Sequence, residues 1–210
     1  METNTFNPGS LEQGLAEKAN GWNPAEVRMS FFLKPITNKW PYGQPLSLFE
    51  VYRYIITPRY RPETDQLRTI TDHDEARRFK GCKLDYVTPS GTFSYCNDKS
   101  LIKHSQVVCM DLDDLGDRVE ELFEQLKRDP YFLTLLLFRS PRGNGLKWFI
   151  HIDLSRCDHR TWFTAIRNYL MATYQLDDKQ ADQSCINVSK ACYLCHDPKA
   201  YILPELIEFF

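Results

Sequence analysis

Two carboxylates stand two residues apart at the end of an apolar run in VVCMDLDDL, Val107 to Leu115. On a strand, Asp111 and Asp113 point to the same face. Like charges that close repel unless a cation lies between them or one keeps its proton. Such a pair suits Mg²⁺ or Mn²⁺, hard ions that take oxygen ligands and leave positions for substrate phosphates. Two ions of this kind would stabilise both the attacking and the leaving oxygens of a nucleotidyl transfer. The competing reading is a solvated strand end that runs into the cap of the next helix.

Two further stretches bear on that choice. In SPRGNGLK, Ser140 to Lys147, the glycines Gly143 and Gly145 let the backbone approach a ligand closely, and exposed amides there form an anion nest. Arg142 and Lys147 add positive charge, so the loop suits a triphosphate; it suits an ordinary hairpin turn equally well. In ADQSCINVSKACYLCHDP, Asp182 supplies a third carboxylate if the strand after it pairs with the first; otherwise it is a loop acid. The same stretch carries Cys192, Cys195 and His196 as Cys-x-x-Cys-His, a zinc or haem-attachment pattern, with Cys82 or Cys96 as a further zinc ligand. Only one knuckle is visible, so buried thiols are the preferred reading over zinc.

These residues need elements to hold them. Residues 106–113 read as a strand and 117–128 as an amphipathic helix with Val119, Leu122, Phe123 and Leu126 on one side. Strands follow at 132–139 and 146–153, then a long helix at 160–174 and a last strand, ACYL, at 191–194. That order is βαββαβ, the ferredoxin-like or RNA-recognition-motif (RRM) topology, in which the first and third strands are central neighbours. Alternation turns Val108, Met110 and Leu112 toward the helices, together with Trp148, Ile150 and Ile152. It leaves Cys109, Asp111 and Asp113, with Lys147, Phe149 and His151, on an open face. Upstream, a strand is expected at 27–34, helices at 47–56 and 72–80, and two short strands around a Pro-Ser-Gly turn within 84–96.

The fold class expected is therefore α+β: a flexible tail over 1–24, with a short helix at 11–19, an N-terminal α/β module over 25–105, and an RRM-like unit over 106–210, with 25–210 forming one compact domain. A net charge of −2 over 210 residues gives no overall basic field, so any phosphate-binding patch is local. Seven cysteines, odd in number and irregularly spaced, fit a reduced cytoplasmic setting, and no apolar stretch calls for a membrane. The apolar ending ELIEFF reads as the front part of a longer protein.

VCMDLDDL, SPRGNGLKWFIHI and DQSCINVSKACYLCHDP, in this order, resemble the three motifs of the archaeo-eukaryotic primase superfamily. More closely, they resemble the VirE amino-terminal-like primase domains of mobile elements, and VRMSFFLKPITN, LFEVYRYI and CKLDYVTPSGTFSY resemble that family's leading module. The resemblance spans residues 27–204. It implies a primase–polymerase core that adds nucleotides on a template with two Mg²⁺ or Mn²⁺ ions, in replication or mobilisation of a mobile element. On it, Asp111, Asp113 and Asp182 are the metal ligands and catalytic acids. Ser140, Arg142, Gly143, Gly145 and Lys147 hold the incoming nucleoside triphosphate, and His196 either touches the nucleotide or makes a structural hydrogen bond. Arg59, Lys83 and Ser90 are template contacts on this view. A single-stranded DNA or RNA template and a helicase-like region or protein are the implied partners. The wider superfamily usually has His where this chain has Lys147; lysine grips phosphate as a point charge but lacks the directed imidazole hydrogen bond.

Two rivals share the fold. An RRM-like nucleic-acid-binding module with weak or no catalysis would normally expose stacking aromatics on its central strands, where this chain places acids. A metal-dependent nuclease would use the same acids to cut phosphodiesters.

Overall fold

The structure, a computed structural model, describes residues 22–207. The expected tail lies outside the described residues as far as residue 21, including its short helix.

The first half opens with strand β1 (Arg28–Phe32) and strand β2 (Leu46–Ser47), which runs straight into helix α1 (Leu48–Ile56). Ser47 starts that helix with a capping box: its hydroxyl accepts from the Glu50 amide while the Glu50 carboxylate accepts from the Ser47 amide. Helices α2 (Arg61–Thr69) and α3 (His73–Lys83) follow, the second capped by Asp72. Strands β3 (Tyr86–Thr88), β4 (Gly91–Phe93) and β5 (Leu101–His104) complete this half. The second half runs β6 (Val107–Leu112), α4 (Val119–Lys127), β7 (Thr134–Arg139), β8 (Leu146–His151), α5 (His159–Tyr174), β9 (Cys192–Tyr193) and β10 (Tyr201–Ile202). The class is mixed α+β.

Two four-stranded antiparallel sheets result, ordered β2–β1–β3–β9 and β10–β7–β8–β6, beside a β4–β5 ribbon. The second sheet is buried on both faces. One face carries Val108, Met110, Leu112, Trp148, Ile150 and Ile152 into a core with α4 and α5, as alternation requires. The other face carries Cys109, Phe138 and Phe149 into a second core with β1, β3 and α1.

Two expectations are corrected here. The face assigned as open is roofed by the N-terminal sheet, leaving Asp111 7% and Lys147 5% exposed. The pattern showed which side chains share a face, while the cover comes from residues distant in the chain on both sides, Pro89 and Ser90 upstream and 190–192 downstream. Next, the strand at 191–194 does not join the first strand of its unit: Cys192 and Tyr193 pair with Val87 and Tyr86 of β3. As a result β6 is an edge strand rather than a central one, and only an isolated bridge, Leu112 to Ala181, borders its outer side. The two short strands expected around Pro-Ser-Gly are present; β3 lies between β1 and β9, and β4 pairs with β5. The second core draws side chains from both halves of the chain. Among the described residues no helix is long and apolar enough to cross a membrane.

Candidate active site

The site is built where β6 ends. Asp111 lies directly across the ladder from Lys147 on β8, and the two side chains form an ion pair. The Lys147 ammonium is drawn up despite its burial, because Asp111 and Asp113 both favour its charge. Asp111 Oδ1, by contrast, is buried with no hydrogen-bond partner. Such an atom bears a desolvation cost that a ligand would relieve.

The outer edge of β6 brings in the third acid. The Asp113 amide donates to the Gln180 carbonyl at 2.9 Å and the Asp182 amide donates to the Asp111 carbonyl at 3.0 Å. These bonds clamp residues 180–182 along the strand, so Asp182 sits beside Asp111 by a route other than the expected strand. Its carboxylate accepts from the Ser184 amide at 2.8 Å and pairs with Lys190 at 2.8 Å. Burial works against the charged form, but the Lys190 and Ser184 hydrogen bonds outweigh it and hold the carboxyl at about 2. Asp113, half-buried, moves the other way: burial, then the Asp111 charge, push its carboxyl up.

Ligand atoms of Asp111, Asp182 and Cys185 all lie within 4.8 Å of one another, and Asp113 is outside this group. The unpartnered Asp111 oxygen and the paired carboxylates fit a divalent cation. These acids and Cys185 are the residues that would hold one.

The glycine loop closes over the same strand end. The Leu115 amide donates to the Asn144 carbonyl at 2.8 Å, and the Asn144 side chain donates to Asp114 at 2.9 Å. Gly145 must be glycine, since a Cβ there would run into the Leu112 carbonyl oxygen. Gly143 holds a positive φ of 80°. The amides of Ser140 and Gly143 are used inside the turn, donating to the carbonyls of Gly145 and Ser140, so they are not part of an outward nest. Ser140 is buried and Arg142 half-buried.

Several cations reach this corner that the sequence reading did not single out. Arg68 of α2 donates to the Pro141 carbonyl at 3.3 Å, bringing a guanidinium to the loop. Lys80 of α3 has its ammonium pushed down, by burial first and then by Lys147, while Asp113 and Asp111 oppose that shift. Lys190 completes the set. Spacing carries no signal for these contacts, which come from helices and loops far along the chain.

The remaining candidates separate. Ser90 lines a small cavity with Asp111 and Lys147. Lys83 is exposed at the end of α3, and the Arg59 guanidinium lies 4.1 Å from the centre of the Tyr54 ring. His196 Nδ1 faces the carbonyls of Thr57 at 3.0 Å and Ile55 at 3.3 Å. Cys195 donates its thiol to the Arg139 carbonyl. The Cys-x-x-Cys-His stretch thus ties the two halves of the molecule together.

Residues 80–202 match the family described as BT4734-like, N-terminal domain. The chain belongs to this family. The matched span is more than half of the chain and contains the three acids, the glycine loop and Lys147. No curated protein and no solved structure matches the chain.

Proposed function

We propose that this BT4734-like domain is a primase–polymerase-like nucleotidyltransferase, acting in the cytoplasm in the replication or mobilisation of a mobile element. The observation that carries the reading is the convergence at the end of β6. Three carboxylates, an unpartnered buried Asp111 oxygen, Lys147 and the glycine loop meet at one corner. We read residues 107–174 as an RRM-like β-α-β-β-α unit packed on the smaller N-terminal α/β module, with the corner between them as the catalytic cleft.

Asp111, Asp182 and Asp113 would hold divalent metal, which when bound lowers the charge repulsion of a triphosphate and stabilises departing pyrophosphate. Lys147 orients Asp111 from across the ladder. Arg142 and Arg68 favour the triphosphate at the loop mouth, and Asn144 fixes that loop against Asp114. Positioning and fixed charge supply most of the catalysis in such a site. A single-stranded template and a helicase-like partner complete the proposed reaction.

One observation favours the second reading, an RRM-like binding module with weak catalysis. Lys147 and Lys190 already neutralise Asp111 and Asp182 from within the fold. Primer extension on a single-stranded template separates the two. Mn²⁺-dependent incorporation of labelled nucleotide, lost in Asp182→Asn, is expected. Template binding without incorporation under any metal would favour the binding module, and template degradation without added nucleotide would favour the nuclease.

A further inference from the structure

We propose that the inner ion of this site is held by a sulfur as well as by oxygens: Cys185 joins Asp111 and Asp182 as a metal ligand, giving a site that prefers a thiophilic divalent ion of the zinc or cobalt kind to Mg²⁺. The inference rests on the proposed metal-dependent reading of the corner and names the ion and the ligand set within it.

Acids gathered at a strand end do not by themselves make a site. Here a separate observation points to a ligand. Asp111 is 7% exposed, and its Oδ1 has no hydrogen-bond partner while Oδ2 is taken by Lys147. The same residue lines a cavity of about 10 Å³ with Cys185 and Lys190, close to the smallest space that holds one water or ion. Cys185 is 3% exposed and is delivered there by the turn Gln183–Ile186, which Asp182 caps.

The spacing suits one ion. With a carboxylate bond of about 2.1 Å and a thiolate bond of about 2.3 Å at near-tetrahedral angles, the ligand atoms around one ion lie about 3.4–3.6 Å apart. The three ligand atoms lie within 4.8 Å of one another, so side-chain shifts of up to about an ångström close the shell. Two carboxylates and one thiolate make a mixed set, and the sulfur selects against Mg²⁺, which keeps to oxygen. Asp113, outside the group, is left for a second, oxygen-ligated ion.

Binding replaces the Cys185 S–H bond with a sulfur–metal bond, and the proton passes to solvent. Lys190 must release Asp182; its side chain is 31% exposed, so it can turn outward. Lys147 stays on Oδ2 and orients Asp111, the usual part of an outer-shell partner.

The test is a cobalt titration of the full chain, kept reduced with a phosphine so that no added thiol competes. One equivalent of Co²⁺ should give a sulfur-to-cobalt charge-transfer band in the near ultraviolet. Cys185→Ser should abolish the band and weaken Co²⁺ binding by more than the about 10–100-fold typical of outer-shell partners. Asp111→Asn should weaken it also. A band that persists in folded Cys185→Ser would move the sulfur to Cys109 or Cys192, which border the same cavity, and overturn the assignment. Tight Co²⁺ or Mn²⁺ binding with no band in the native chain would reject the thiol ligand while keeping the acid site. No binding of either ion by the folded native chain would reject both.

Discussion

Replacing Lys147 by methionine keeps most of the side-chain volume and removes the charge facing Asp111. Both groups are nearly fully buried, and Lys147 is the side-chain partner of an aspartate whose other oxygen has none. Removing one member of a buried pair costs about 3–5 kcal/mol, against about 0–1 kcal/mol for a surface pair. With a urea dependence of about 2 kcal/mol per molar, the unfolding midpoint should fall by about 1.5–2.5 M. Adding Asp111→Leu should recover much of the loss, because it removes the stranded charge. Divalent metal should act in the same direction: Mn²⁺ at 100 times its dissociation constant adds about 2.7 kcal/mol to a protein that binds it only when folded. The gain should be larger in Lys147→Met than in the native chain, where lysine already fills part of the cation's role. A midpoint within about 0.3 M of native at that urea dependence would refute the buried-pair argument. Equal Mn²⁺ stabilisation of both proteins would refute the shared role of lysine and metal.

Two other predictions concern the rest of the scaffold. Burial holds the His151 imidazole down at about 4, and burial together with neighbouring His159 holds His104 at about 4. Unfolded histidine titrates near about 6.5, so the unfolded chain binds more protons below that pH. The histidine contribution to stability should therefore be full above about 6.5 and be lost as pH drops from there toward 4; urea midpoints across that range check this, and His104→Gln should flatten the slope. Gly145→Ala should cost about 1–3 kcal/mol in thermal or urea unfolding, the usual penalty for overpacking, since the new methyl meets the Leu112 carbonyl.

Much of the corner was legible because a strand's alternation is strict. Once 107–112 and 146–151 are strands, Asp111 and Lys147 must share a face, and the register sets them directly opposite. The periodic apolar residues of α1 and α4 marked those helices in the same way. Helix α2 gave no such signal: it buries only Thr64 and Leu67, so its sequence RPETDQLRT shows no apolar stripe. Strand β5 is equally silent, its four residues being exposed or half-buried. Lys80 and Lys190 reach the acids, and Arg68 reaches the glycine loop, through tertiary packing, which leaves no local pattern. The same is true of the roof over Asp111 and of the departure of Cys192 and Tyr193 to the other sheet. Asp182 reached its place through backbone bonds to Asp111 rather than through a ladder, an arrangement no periodicity encodes.

The central claim is that the β6 corner binds metal and nucleotide together. Binding of a labelled nucleoside triphosphate with and without Mn²⁺ tests it, comparing the native chain with Asp111→Asn/Asp113→Asn and, as a second variant that leaves the Lys147 pair intact, Asp182→Asn. Metal-dependent binding that is lost in both folded variants is the predicted result. Binding that is equal with and without metal, or unchanged in the variants, would contradict the account.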